Sequence, residues 1–430
     1  MLLFKVPSKI YFKYGCLPVA LQELKEKKRA FIVTDSYLFN SGMTDLITDE
    51  LNKMGVDSEI FHQVKPDPTL GTISLAMEKI DHFQPDVIIA LGGGSPMDAA
   101  KIMWLLYENP DVKFEGLALR FMDIRKRIYA FPNMGKKSEL VCISTTSGTG
   151  AEVTPFAIIT DENTGTKYAI ADYALTPSMA IVDSRLAVGM PKGLTASCGI
   201  DVLTHAIEAL VSCMSTDYTN GLSLEAARII FKYLPTAYHH GDNVVAREKV
   251  HNASAIAGMA FANAFLGVCH SMAHKLGAKF HVPHGMANAL LLTNVIRFNA
   301  TDNPTKQAAF PQYSYPSAIS RYARLADYIN MKANEQENTP FIHIKPNATQ
   351  EEKVEALIDA IESLKNELGV PKSIKEWGVD EQEFLAAVDE LSVNAFDDQC
   401  TSANPRYPLI SQIKQLYLNC YYGTKWVEEA

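Results

Sequence analysis

Within the first 185 residues, short β-branched runs alternate with amphipathic stretches, and nothing else in the chain restricts its fold as much. The runs are Arg29–Thr34, Asp57–Phe61, Asp86–Leu91, Glu139–Ser144, Phe156–Ile159 and Met179–Val182. Helical periodicity marks Met43–Met54, Thr69–Phe83 and Pro96–Tyr107. Strand followed by helix, repeated, predicts a mostly parallel sheet covered on both faces. Past Met190-Pro191 β-branched runs become scarce. Helical patterns take over at Pro191–Ser212, Gly221–Tyr233, Val245–Leu276, Tyr315–Ile329, Gln350–Leu368 and Glu381–Ala395. The expected organisation is an α/β domain over 1–185 and an all-helical domain over 186–430. Thr349-Gln-Glu-Glu352 reads as a capping box opening one late helix. Asn303–Pro316 reads as an exposed connection.

Charge excludes two classes of partner. Forty Lys and Arg face 49 Asp and Glu, a net charge of −9. Such a chain has no pull toward nucleic acid or anionic membranes. The seven cysteines are dispersed without a C-x-x-C pair, and no secretory pattern opens the chain. Reduced thiols in a cytoplasm are expected. The longest apolar stretch, Ala253–Cys269, is interrupted by Ser254 and Asn263 and reads as a buried helix.

Chemistry begins at Leu91-Gly92-Gly93-Gly94-Ser95-Pro96-Met97-Asp98, which follows a hydrophobic strand and opens a helix. Consecutive glycines let backbone N–H groups approach a ligand, and the helix start adds free donors and partial positive charge. Together they suit a pyrophosphate. The order differs from G-x-G-x-x-G folds, where the acidic residue follows the glycines. Here the acidic candidate, Asp35, precedes them. It could hold a ribose 2′-OH and repel a 2′-phosphate, favouring NAD over NADP. A second loop, Ser144-Thr145-Thr146-Ser147-Gly148-Thr149-Gly150-Ala151-Glu152-Val153-Thr154, offers hydroxyls and glycines to a nucleotide.

Four of eleven histidines fall between 270 and 284: His270, His274, His281 and His284. Asp201 and His205 stand four apart on one predicted helix, so they share a face. His270 and His274 repeat that spacing, and His284 sits in a Pro-His-Gly turn. One carboxylate with several imidazoles suits Fe(II) or Zn(II) better than Mg or Ca. Spacing alone leaves open which clustered histidines touch the ion.

These motifs resemble the iron-containing alcohol dehydrogenase family, whose fold is related to dehydroquinate synthase and glycerol dehydrogenase. The likeness rests on Gly92–Asp98 with Lys101, Thr145–Thr154, Asp201-Val-Leu-Thr-His205-Ala-Ile-Glu208, and Gly267–Gly277 through Pro283-His284-Gly285. The segments Gln307–Tyr313 and Phe396–Pro408 look like the alcohol dehydrogenase half of bifunctional aldehyde–alcohol dehydrogenases. The resemblance implies a Rossmann-like first domain and a dehydroquinate synthase-like whole. It implies metal ligands Asp201, His205, His270 and His284, with His274 beside the substrate and His281 not a ligand. Around the NAD it places Asp35, Gly93, Gly94, Ser95, Asp98, Thr145, Thr146, Thr149, Thr154 and Lys167. Phe261 and Cys400 match positions lining the substrate pocket.

The activity so implied is reversible hydride transfer between NADH and a short aldehyde, acetaldehyde being the expected one, with iron or zinc polarising the carbonyl. His274 is the expected proton relay. A homo-oligomer is expected. The family's bifunctional members carry an aldehyde dehydrogenase half ahead of this region, and the opening Met1–Pro7 favours an excised domain over a stand-alone form. A glycerol dehydrogenase-like polyol oxidoreductase and a dehydroquinate synthase-like lyase are the competing readings. A lyase acting on a phosphate-bearing substrate would need several basic groups, and the region from His270 to His284 offers only Lys275 and Lys279.

Overall fold

The computed structural model describes residues 3–112, 117, 131–162, 166–300, 317–331 and 341–428, the side chains at 166 and 167 excepted. The predicted connection Asn303–Pro316, which includes Gln307–Tyr313, lies outside them. The chain divides into two compact units, Met1–Gly189 and Met190–Ala430.

In the first unit the strands are β1 (Lys9–Phe12), β2 (Arg29–Asp35), β3 (Asp57–Val64), β4 (Val87–Gly92), β5 (Glu139–Ser144), β6 (Phe156–Asp161), β7 (Thr166–Ala171) and β8 (Met179–Val182). Six of them form one parallel sheet in the order β1-β8-β5-β4-β2-β3. Successive side chains alternate between two cores, as the period of two requires. Phe31, Val33, Ile88, Ala90 and Leu140 pack on α4 (Leu70–Phe83) and α5 (Gly94–Glu108). Ile32, Ile89, Leu91, Val141 and Ile181 pack on α1 (Leu17–Leu21) and α3 (Asp45–Lys53), with α2 (Ser36–Asn40) following β2. Each such Ile or Val contributes about 1.5–3 kcal/mol by leaving water. This two-sided burial makes the strands read as unbroken apolar runs.

The run Phe156–Ile159 does become a strand, but outside the parallel sheet. It pairs antiparallel with β7. The short link from Asp161 to Thr166 cannot make the crossover that a parallel pair needs. Strand β1, only four residues long, was not legible in the sequence.

The second unit is helical: α6 (Lys192–Val211), α7 (Asp217–His239), α8 (Val244–Ala264), α9 (Val268–Phe280), α10 (His284–Asn299), α11 (Ala318–Ile329), α12 (Gln350–Glu367), α13 (Ile374–Trp377), α14 (Glu381–Phe396) and α15 (Ile410–Tyr422). The capping box at Thr349 and Glu352 is present in both directions. Among the described residues α6 is long and apolar enough to cross a membrane, but 83% of its most apolar stretch is buried in the fold.

The predicted helix Val245–Leu276 is two helices bent by 107°. Phe265 adopts a left-handed φ of 62° at the break. The carboxyl of Glu208 then accepts the Cys269 N–H at 2.8 Å, supplying an acceptor where the new helix α9 exposes free donors. Apolar periodicity runs straight through this corner, so the sequence hides it.

Candidate metal and nucleotide sites

In the first unit, Asp35, Gly92 and Ser144 end three neighbouring strands, β2, β4 and β5. Open parallel sheets bind ligands at this edge. Gly92 has a φ of +152°, and a Cβ there would lie 2.6 Å from Pro96 Cγ. The glycine turn and the hydroxyl loop touch: a Cβ on Gly93 would sit 3.0 Å from Thr146 Oγ1, and one on Gly94 3.3 Å from Thr149 Cγ2. Thr145 N–H donates to the Gly92 carbonyl at 3.0 Å. Gly93 therefore opens α5 with its backbone flanked by threonines, and Ser95 lies in the first turn. Asp35 caps α2 by accepting the Leu38 N–H at 2.9 Å. Lys167 has its backbone in β7, and its side chain lies outside the described residues.

Lys101 holds this edge together. It is fully buried, and its ammonium donates to the carbonyls of Ala151, Thr154 and Phe156, each at 2.8 Å. Three N–H donors meet three acceptors. Thr154 thus turns toward Lys101 inside the fold, its Oγ1 3.4 Å from the ammonium. Burial pushes the Asp98 carboxyl up to about 7, with Lys101 opposing.

Glu152 is 1% exposed, and one carboxyl oxygen has no hydrogen-bond partner among the described residues. Burial pushes its pKa up from 4.5 to about 7. Between those pH values the unfolded chain releases the proton first, so stability falls as pH rises and stays reduced above pH 7. Glu152→Gln should remove that loss, worth on the order of 1–3 kcal/mol. Thermal midpoints at pH 5 and pH 8 check this: the variant should gain on the wild type at pH 8, and an equal gap at both values refutes it.

In the second unit, helix α6 carries Asp201, His205 and Glu208 at i, i+4 and i+7, all buried on one face. Helix α9 supplies His270 one turn after the bend, and α10 begins at His284. Asp201, His205, His270 and His284 each offer one ligand atom, and the four atoms lie within 4.8 Å of one another. Asp201 Oδ1 is 3.7 Å from Nε2 of both His270 and His284. Burial drives the His205 imidazole down to about 3, against the pull of Asp201, and lowers His270 well below its ordinary value. Both rings are therefore neutral at pH 7, as metal ligation requires. His205 Nδ1 is buried without a partner among the described residues.

The donor set fits a first-row divalent ion in type, charge and count. The close approach of α10 to α6 depends on Gly285: a Cβ there would stand 2.3 Å from the Ser197 carbonyl oxygen and 3.2 Å from Asp201 Cβ. The His284 side chain remains 41% exposed, so the group is reached by solvent from one side.

Both units match known families. Residues 7–184 match the model described as iron-containing alcohol dehydrogenase, and 195–421 match the Fe-containing alcohol dehydrogenase family, C-terminal. The chain belongs to the iron-containing alcohol dehydrogenase family. It is 58% identical over its whole length to the bifunctional aldehyde-alcohol dehydrogenase of Escherichia coli, covering 47% of that protein. It is 39% identical to the NADPH-dependent butanol dehydrogenase of Clostridium saccharobutylicum, with 99% of each chain covered. The iron-containing alcohol dehydrogenase of Thermococcus thioreducens shares its fold at a TM-score of 0.83 and 29% identity, over 98% of this chain and 100% of that one. The chain spans about half the length of the aldehyde-alcohol dehydrogenases it matches.

Three residues to which the sequence motifs assign no role complete the group: Glu208, Asp398 and Asn288. Glu208 Oε2 bonds His270 Nδ1 at 2.5 Å, which fixes the tautomer and leaves Nε2 free to ligate. Asp398 Oδ2 takes His274 Nδ1 at 3.2 Å and the Lys275 ammonium at 2.7 Å. Burial opposes ionisation of Asp398, but His274 and Lys275 together hold its carboxyl well below the ordinary range. Asn288 lies among the ligands. The spacings Asp201/Glu208 and His284/Asn288 were the available signals; each is a same-face helical pair.

His274 stands beside the group, its ring 5.5 Å from that of His284. Cys400 adjoins it: His274, Asp398 and Cys400 bring polar atoms within 4.8 Å of one another, and burial keeps the thiol protonated. Phe261 is buried and stacks on His205 with ring centroids 4.4 Å apart. His281 ends α9 with a left-handed φ of 55° and is exposed.

Proposed function

We propose that this chain reversibly reduces a short-chain aldehyde, acetaldehyde being the expected substrate, to the primary alcohol with NADH. The convergence of Asp201, His205, His270 and His284 within 4.8 Å carries this reading. When bound there, iron or zinc supplies Lewis-acid polarisation of a carbonyl, and the nicotinamide supplies hydride.

The protein does the rest. Glu208 aims the His270 lone pair inward. Phe261 braces the His205 ring from the side. His274 presents Nδ1 to Asp398 and keeps Nε2 for the proton that the product alkoxide needs. In the α/β domain the glycine turn takes the pyrophosphate at the start of α5, with Ser95, Asp98, Thr145, Thr146 and Thr149 around the nucleotide and Thr154 acting from behind through Lys101. Lys167 and Cys400 are proposed contacts of cofactor and substrate. A structure of a sulfoacetaldehyde reductase from Bifidobacterium kashiwanohense with NAD+, 25% identical with a TM-score of 0.79, supports the choice of cofactor. An aldehyde dehydrogenase half in a longer parent protein would feed the aldehyde, and homo-oligomeric assembly is proposed, to be read by light scattering.

The deciding experiment is metal analysis of anaerobically prepared protein, with acetaldehyde reduction restored ion by ion and followed at the NADH band. No bound metal and no metal-dependent turnover would overturn the reading. Asp35→Gly tests the ribose contact. NADP-dependent efficiency should rise about tenfold or more relative to NAD, the worth of one charge repulsion removed; an unchanged ratio refutes it. Asp35→Asn separates charge from capping, because Asn caps a helix as well as Asp.

A further inference from the structure

Asn288 is fully buried one helical turn after His284. Its Nδ2 lies 2.8 Å from Asp201 Oδ1, 3.1 Å from His270 Nε2 and 3.3 Å from His284 Nε2. Its Oδ1 takes the Cys269 thiol at 3.7 Å. Reversing the amide would set a carbonyl oxygen against a carboxylate, so the network itself fixes which atom is nitrogen. One NH₂ group carries two hydrogens, yet three acceptors surround it. The hydrogen bond to Asp201 is the shortest, and the two imidazole lone pairs compete for the second hydrogen.

We propose that Asn288 is a positioning residue of the metal centre, an internal placeholder that keeps three ligand atoms turned to one point before an ion arrives. The inference rests on reading Asp201, His205, His270 and His284 as the ligands. A buried carboxylate and two inward lone pairs without a donor would each demand water or swing away. The amide satisfies them in place. On metal binding it keeps the Asp201 oxygen and gives up only the weaker imidazole contacts, so little side-chain reorganisation opposes binding. Glu208 plays the matching part from outside, through Nδ1 of His270. The two residues grip opposite nitrogens of the same ring.

The test measures metal affinity directly, with Co²⁺ and Zn²⁺ titrated against a chelator in the full chain. Asn288→Ala should weaken affinity by about ten- to hundredfold, the usual cost of losing a partner of a metal ligand, with NADH binding preserved and the thermal midpoint of the metal-free chain lowered by the acceptors it strands. Affinity within about twofold of wild type, in a folded variant, overturns the proposal. Asn288→Asp serves as the second variant. It places a carboxylate oxygen where the amide nitrogen stood, so the visible Co²⁺ absorption should weaken as coordination number rises. An unchanged Co²⁺ spectrum overturns the proposal even if Asn288→Ala fails to fold. A wild-type chain that binds neither ion overturns the metal reading itself, a separate outcome.

Discussion

His270→Ala should release the metal and lower aldehyde reduction by at least about a thousandfold, because a Lewis acid supplies several kcal/mol at the transition state. His284→Ala should do the same. NADH binding, followed by fluorescence, should persist in both, since every proposed nucleotide contact belongs to the other compact unit. His270 is the stronger test. It is buried between Glu208 and the ligand group, so its loss leaves an ionisable carboxyl without its imidazole partner. Full activity with metal retained would refute the ligand assignment. Loss of NADH binding together with metal would show that the variant had lost more than its centre.

Lys101→Met should be the most damaging change in the α/β unit. Methionine fills the same volume but strands three buried carbonyls, those of Ala151, Thr154 and Phe156. Each unsatisfied acceptor costs about 1–3 kcal/mol, so about 3–5 kcal/mol in all is expected once the loop relaxes. The same carbonyls tie the hydroxyl loop to α5, so NADH affinity should fall with stability. A thermal midpoint within about 2 °C of wild type, or an unaltered NADH Kd, would show that the ammonium is not what holds the loop.

Much of this was legible in the residues. The parallel sheet followed from apolar runs between amphipathic stretches, because strands buried on both faces have no polar side to display. Asp201 and His205 could be paired from a spacing of four alone. The resemblance to the family, rather than spacing, distinguished His284 from His274 and His281. What stayed hidden has physical causes. The corner at Phe265 keeps helical periodicity on both sides, and the groups that cap the new helix there, Glu208 on the Cys269 N–H and Asn404 on the Val268 N–H, lie far away in the sequence. Helix α10 was missed behind its Pro-His-Gly opening, and with it went Asn288, which acquires meaning only beside His284. Strand β7 begins with polar residues and pairs outside the main sheet, so its run carried no strong apolar signal.

The crowding at Gly285 bears on how such a protein can change. Main chain lies close against main chain there, so the spacing of the two helix backbones that carry Asp201 and His284 leaves no room for a side chain at 285. A centre with so stiff a bite selects ions by radius and by the kind of donor it offers, and cannot flex to welcome a larger guest. Laboratory evolution that diversifies the seam between α6 and α10 would erase the centre before it could retune it. Variation on the open flank, around His274 and Cys400, reshapes what the cation meets while leaving the cation's seat untouched.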